Sequence, residues 1–253
     1  MTGRFCISGH NPRKHSRLIT GLVGGLFISL PGAVPLYADG SIIDKVYHPY
    51  VQLLEKEIEY RLRYQDDDDP ELDDQQRHKL GLGQSLSDRV FAEIYLIGKN
   101  TPDSDFELSA VEAELKLQLT EQGEYNNDWG MLFELEREKD ENIWEASTAL
   151  IALHEWSRWI GTANLSLAYE WGNDIDNELE TGLATQLRYR YSQAVEPALE
   201  VYFSEDTQGL GPVLTGVQRL GGRRKLLWEF GVILGLDNST ADASWKFNIE
   251  YEY

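Results

Sequence analysis

Charged side chains recur at every second residue in several parts of this chain, and their spacing indicates ionic chemistry. The clearest run is Glu57, Glu59, Arg61 and Arg63, interrupted by apolar or aromatic residues such as Ile58. Successive side chains of a β-strand point to opposite faces, so the four charges would project from one face. Such a face either holds and selects ions or joins other charged faces through salt bridges.

The same alternation places further charged residues on this face of the predicted strands. Together with the first run, the candidates are Glu57, Glu59, Arg61, Arg63, Glu114, Lys116, Glu134, Glu136, Glu170, Glu180, Arg188, Arg190, Glu200, Glu229, Lys246 and Glu250. Glu93 and Glu145 share the pattern. Acidic residues outnumber basic ones, so the face is biased toward negative charge.

Other kinds of site find little support in the sequence. His48, His78 and His154 match no metal-binding spacing, and no G-x-S-x-G motif is present. The run Asp66 to Asp69 could hold Ca²⁺ or Mg²⁺, but it lacks the spacing of a dedicated loop and favours a solvated acidic loop. We therefore expect no cofactor, no metal site and no catalytic residue.

The elements that would position these charges are predicted to be β-strands. Between residues 51 and 253 the chain divides into about twelve alternating segments separated by turn residues, although ten to fourteen strands remain open. One example is Trp159 to Trp171, with tryptophan at both ends of its apolar face. Glu55 to Arg63 contains many helix formers, but its apolar residues repeat every two positions, which favours a strand.

The N-terminus has the layout of an export signal. Basic residues precede an apolar run, Leu18 to Leu30, and Ala38 provides a small residue for cleavage. We predict a secretory signal peptide over residues 1–38, cleaved near Ala38. Residues 39–50 have no clear period, and we interpret them as an N-terminal lead-in to the alternating segments over 51–253.

The last strand, with Trp245, Phe247, Ile249, Tyr251 and Tyr253 on one face, resembles the C-terminal assembly signal of Gram-negative outer-membrane β-barrels. With the signal peptide and the alternation, the chain is similar to their small porin- or transporter-like members. The resemblance implies an all-β fold, a single antiparallel transmembrane β-barrel of about twelve strands with both termini periplasmic. It also implies that residues 39–50 are a periplasmic N-terminal lead-in and that residues 51–253 form the barrel.

The same resemblance implies partners and a compartment. They are the lipid and lipopolysaccharide of the bacterial outer membrane, the barrel-assembly machinery and periplasmic chaperones. The formal net charge of −20 argues against a nucleic-acid partner. The oligomeric state stays open.

The function predicted from the charged face is a passive channel or transporter for small polar or cationic solutes through an acid-biased lumen. The alternative is a non-conducting structural barrel whose lumen is plugged by salt bridges. We expect no enzyme. Outer-membrane phospholipases use a His-x-Ser pair, whereas His154 and Ser157 are three residues apart and on opposite strand faces. The Asp-x-His pair of the membrane proteases does not occur in the sequence.

Overall fold

The computed structural model describes residues 42–68, 73–102, 104–139, 142–173 and 175–253. The predicted signal peptide over 1–38 and its cleavage site near Ala38 lie outside the described residues. Within these ranges no helix is long and apolar enough to cross a membrane.

Twelve antiparallel strands close into one barrel, in which β1 pairs with both β2 and β12. The strands are β1 (Lys56–Asp66), β2 (Gln76–Ser85), β3 (Val90–Thr101), β4 (Ser104–Gln118), β5 (Asp128–Glu138), β6 (Trp144–Trp156), β7 (Trp159–Trp171), β8 (Glu178–Tyr189), β9 (Glu196–Phe203), β10 (Gln208–Gly221), β11 (Arg224–Gly235) and β12 (Ala243–Glu252). The predicted all-β barrel of about twelve strands is confirmed.

The barrel has two ends, which we distinguish by the chain termini. The terminal end is where β1 begins and β12 ends, with Glu57 paired to Glu252. The opposite end is where β1 ends and β12 begins, with Asp66 paired to Ala243. The even number of strands places both of these strand termini at the same end.

The faces of the sheet are inverted relative to those of a water-soluble protein. Apolar side chains on the outer face are exposed, for example Leu82 at 63 % and Ile94 at 61 %. Charged side chains on the inner face are buried, with Glu59 and Glu200 both at 0 %. This inversion suits a barrel surrounded by lipid, because lipid contacts the outer face and the closed sheet leaves no strand edge unpaired.

Aromatic side chains gather near both ends of neighbouring strands. Toward the opposite end, the rings of Trp144 and Trp171 stack with centroids 6.4 Å apart. Toward the terminal end, the rings of Trp159 and Tyr189 lie 4.8 Å apart. Aromatic rings at these levels are typical of the two interfaces of a membrane.

Residues 42–51, which we call the inner segment, lie inside the barrel and belong to no strand. Ile43 clusters with Tyr202 and Ile233 toward the opposite end. Tyr50 donates a hydrogen bond to Asp128 at the terminal end, over 2.6 Å. The segment therefore runs through the lumen from the opposite end to the terminal end before the chain turns into β1.

This placement differs from the periplasmic lead-in expected over residues 39–50, of which 42–50 are described. The segment lacks a period because the barrel wall surrounds it on all sides. No single face of it needs to be apolar, so alternation could not reveal its location. The first strand begins at Lys56 and the last ends at Glu252.

Candidate functional site in the barrel lumen

The charges singled out from the sequence face the lumen, with one exception at the rim. Fifteen of the sixteen candidates lie on strands at inward positions: Glu57, Glu59, Arg61, Arg63, Glu114, Lys116, Glu134, Glu136, Glu170, Glu180, Arg188, Glu200, Glu229, Lys246 and Glu250. Arg190 follows the end of β8 and pairs with Glu155 over 2.6 Å at the rim of the terminal end. It does not line the barrel interior.

A network centred on Glu59 occupies the middle of the lumen. The Glu59 carboxylate accepts hydrogen bonds from Arg61 over 2.7 Å and from Asn248 over 2.7 Å. Tyr95, fully buried, donates a hydrogen bond to the same carboxylate. Several donors therefore compensate the burial of this charge, which would otherwise be very costly.

A second network lies between β9, β11 and β12. The ammonium of Lys246 is 2.8 Å from Glu200 and 2.9 Å from Glu229. Tyr202 donates to Glu200 over 2.6 Å, and the amide of Gln186 donates to the other oxygen of Glu200 over 2.7 Å. One lysine thus holds two carboxylates from strands that β10 separates. Lys246 and Tyr202 also donate to the Asp44 carbonyl of the inner segment, so this network joins the wall to the segment.

The inner segment completes the first network with both signs of charge. Lys45 lies 2.8 Å from Glu59 and 3.0 Å from Glu250. Asp44 accepts a hydrogen bond from Arg61 over 2.9 Å. Lys45 and Asp44 therefore fill this part of the lumen with charges that complement those of the wall.

The charged residues of the inner segment have displaced pKa values. Burial acts to raise the pKa of Asp44, but the nearby Arg61, Lys79 and Lys246 together lower it well below its ordinary value. Burial acts to lower the pKa of Lys45, but Glu250 and Glu59 raise it well above its ordinary value. Both groups stay charged across the physiological pH range, so the ion pairs persist.

Wall side chains also hold the main chain of the inner segment. The amide of Asn164 accepts a hydrogen bond from the Tyr47 N–H over 2.7 Å and donates one to the Tyr47 carbonyl over 2.9 Å. Gln118 accepts a hydrogen bond from the Val51 N–H over 2.8 Å. Tyr202 donates to the Asp44 carbonyl over 2.9 Å.

Apolar wall residues contact the inner segment at two levels, around Ile43 and around Tyr47. Tyr47 clusters with Leu132, Ala149 and Ile151 of β5 and β6. This explains the continuous apolar run Ala149 to Leu153, which has no clear alternation in the sequence: its inward residues face a peptide segment rather than water.

Inward glycines make room for the inner segment. A Cβ at Gly130 would lie 2.9 Å from the Cα of Pro49, and a Cβ at Gly182 would lie 2.4 Å from Cδ1 of Ile42. Larger residues at either position would therefore collide with the segment.

Three groups of carboxylates lie close enough together to share a cation. They are Glu57 with Glu59 and Glu250, Glu112 with Glu114 and Glu134, and Glu55 with Glu250 and Glu252. Each group already contains a carboxylate paired with a side-chain cation: Lys45 with Glu59 and Glu250, and Lys79 with Glu112 over 2.9 Å. These cations compensate the acidic charge, so we assign no metal site.

Several residues of this site were not singled out from the sequence. Tyr95 and Tyr202 stand in phase with Glu93 and Glu200, so strand phase alone could have placed them in the lumen. Asn164 is likewise at an inward position of β7, but an uncharged amide was not distinguished as a candidate among so many charged residues. No sequence pattern identified the inner-segment residues as part of the site, because their partners are distant in sequence.

Comparison with known proteins agrees with this architecture. No protein-family model and no curated protein matches the sequence. The COG4313 outer membrane channel from Pseudomonas putida F1 aligns with a TM-score of 0.56 and 13% identity, covering 83% of this chain and 98% of that one.

Two further solved structures show the same likeness. A KdgM porin, solved in complex with disordered oligogalacturonate, aligns with a TM-score of 0.50 and 10% identity, covering 78% of this chain and 98% of that one. The β-domain of the Bordetella autotransporter Brka aligns with a TM-score of 0.50 and 12% identity, covering 79% and 99%. The likeness in architecture, together with the closed twelve-stranded sheet, shows that the chain has the fold of the bacterial outer-membrane β-barrels.

Proposed function

We propose that the protein is an outer-membrane channel for small polar and cationic solutes, and that the inner segment closes its lumen in the state described above. The observation that supports this proposal is the nature of the occupant. Residues 42–51 pair with no strand, so they can leave the lumen without breaking any ladder of the barrel. Only hydrogen bonds, ion pairs and side-chain packing hold them in place.

Release of the inner segment would expose a wall suited to cations. Lys45 would leave Glu59 and Glu250, which become available to hydrated cations in its place. Acidic side chains outnumber basic ones among the inward positions, and a ring of carboxylates favours cations in a hydrated pore. Both termini of the barrel would face the periplasm, as in other barrels with an even number of strands.

The neighbours named above are consistent with a channel, since their descriptions include a porin and an outer membrane channel. The competing candidate is a non-conducting structural barrel. The burial of the ion pairs between the inner segment and the wall favours it, because a permanently occupied lumen would need such pairing.

A reversible disulfide between the inner segment and the barrel wall distinguishes the channel from the structural barrel. In the double variant Pro49→Cys with Gly130→Cys, the two Cβ atoms start 2.9 Å apart, so a small shift gives the roughly 3.8 Å of a disulfide. We expect no conductance steps in planar bilayers when the variant is oxidised. After a reducing agent is added we expect steps at least as frequent as those of the wild type, because the added Cβ at position 130 crowds residue 49. Comparison of the oxidised with the reduced variant isolates the effect of the disulfide, and comparison of the reduced variant with the wild type gives the effect of the two substitutions.

A loosened variant provides the opposite perturbation. Asp44→Asn with Lys45→Met, which we call the loosened variant, removes both charges of the inner segment at nearly constant size. We expect more frequent, cation-selective openings, and a weaker cation preference when Glu57, Glu134 and Glu180 are all changed to glutamine. A cysteine introduced at Ala184→Cys, which is buried beside Ile43, reports whether the lumen is accessible to a thiol reagent. If the loosened variant carrying this cysteine is labelled and still gives a silent bilayer, the channel proposal is overturned in favour of the structural barrel.

A further inference from the structure

The contacts between the lumen wall and the main chain of the inner segment indicate which class of ligand the lumen could bind. Asn164, only 5 % exposed, uses its side-chain amide to pair with both the N–H and the carbonyl of Tyr47. This two-point contact is the one that a neighbouring β-strand makes with an extended peptide. It depends on the main chain and not on the identity of the side chain.

Further wall groups reach the main chain along the length of the inner segment. Gln118 holds the Val51 N–H toward the terminal end. Tyr202 and Lys246 both donate to the Asp44 carbonyl toward the opposite end. Because buried amides are costly without partners, these inward positions suit a wall whose partner is either water or a peptide backbone.

The wall also provides separate places for side chains of different chemistry. Arg61 and Lys79 form salt bridges with the carboxylate of Asp44, over 2.9 and 3.5 Å. Glu59 and Glu250 receive the ammonium of Lys45 on the other side.

Apolar and aromatic side chains have places of their own. The apolar cluster with Tyr202 and Ile233 receives Ile43. The ring of Tyr47 lies in the other cluster, and its hydroxyl donates to Glu114 over 2.7 Å. Backbone contacts combined with alternating side-chain sites are the features by which proteins bind extended peptides.

We propose that the lumen wall is a binding path for extended oligopeptides, with the inner segment as its built-in occupant. This inference rests on the channel function proposed above and names a substrate class for it. The preferred peptide carries an acidic and a basic residue side by side between an apolar and an aromatic residue, as Ile43 to Tyr47 do. Such peptides compete with the inner segment for the same wall.

The test uses a synthetic peptide with the sequence of residues 42–51, blocked at both ends, and the full-length loosened variant. Two measurements are made. One is block of conductance in planar bilayers. The other is protection of a cysteine at Ala184→Cys, introduced into the loosened variant, from a thiol reagent in detergent micelles. Ala184 is buried in the cluster that holds Ile43, so an occupied lumen shields it.

We expect saturable block and saturable protection, both weaker for a scrambled peptide of the same composition. A peptide N-methylated at the position of Tyr47 cannot donate to Asn164, and we expect its half-blocking concentration to rise about tenfold. N-methylation at the position of Val46 is the matched control, since among the described contacts its amide donates no hydrogen bond. That peptide should block as the unmodified one does.

The outcomes separate this inference from the channel proposal. Conductance without peptide block, or equal block by the scrambled peptide, overturns the peptide path and leaves the channel standing. A silent bilayer combined with peptide-dependent protection of the cysteine overturns the channel and retains the binding path. Equal effects of the two N-methylated peptides would show that the wall does not recognise the peptide main chain.

Discussion

The ion pairs of Lys45 allow the stability of the closed lumen to be perturbed by a known amount. The Lys45 ammonium lies 2.8 Å from Glu59 and 3.0 Å from Glu250, whose side chains are 0% and 9% exposed. Removing one partner of a buried pair costs about 3–5 kcal/mol. Glu59 keeps Arg61 and Asn248, so we expect Lys45→Met to cost the closed state about 3 kcal/mol, the lower end of that range.

A free-energy change of about 3 kcal/mol alters the ratio of closed to open states by about two orders of magnitude. The ratio can be measured by thiol labelling in the Ala184→Cys background, with Cys6→Ser as a precaution. When closing is faster than labelling, the rate is proportional to the population of the open state. We therefore expect Lys45→Met to speed labelling of residue 184 about a hundredfold.

The matched control is Lys99→Met, which removes a lysine paired with the wall residue Glu138 over 3.6 Å. It should leave the labelling rate of residue 184 within about threefold of the parent. If Lys45→Met changes the rate no more than the control does, the ion pairs do not hold the inner segment closed. Labelling as fast as in unfolded protein, even without Lys45→Met, would show that the lumen is open.

Three further outcomes follow from the same contacts. Gly130→Val should displace the inner segment, because its Cβ would lie 2.9 Å from Pro49, and should speed labelling of residue 184; Gly161→Val, on the outer face, should not. Burial in the closed state lowers the pKa of His48 well below its ordinary 6.5. Neutral His48 therefore stabilises the closed state relative to the open state above pH 6.5, and this stabilisation is lost as the pH falls. After correction for thiol reactivity, labelling should therefore rise by up to about tenfold per pH unit below 6.5, and His48→Gln should abolish the rise. Finally, the folded barrel should migrate differently on a gel before and after boiling; identical mobility would contradict a closed barrel.

The architecture was predictable because it rests on a local property of the sequence. Alternation needs only neighbouring residues, so the phase of Trp159 to Trp171 and the face of Glu57 to Arg63 could be assigned without knowing any partner. Closure followed from the same pattern, because strands with one apolar and one charged face leave unpaired edges in lipid unless the sheet closes. The strand bounds were less predictable, because they depend on pairing: β10 begins at Gln208, which pairs with Phe203 of β9.

The candidate site was predictable only in part. The inward charges follow from strand phase, but the partner of each charge depends on how the barrel closes. Glu59, for instance, meets Asn248 because β1 pairs with β12 at the closing seam. Arg190 was misplaced because the phase of β8 continues beyond the residue at which the strand ends.

By itself, the sequence determined the class of this protein: about twelve alternating strands, an apolar outer face and a charged inner one. Whether the charged lumen is open or filled was decided only by the tertiary structure. Lys45 reaches Glu250 and Tyr47 reaches Asn164, and no local pattern links residues so far apart in the chain. The physical reason is that an irregular segment enclosed by a wall takes its conformation from contacts on every side, whereas a strand takes its pattern from two faces.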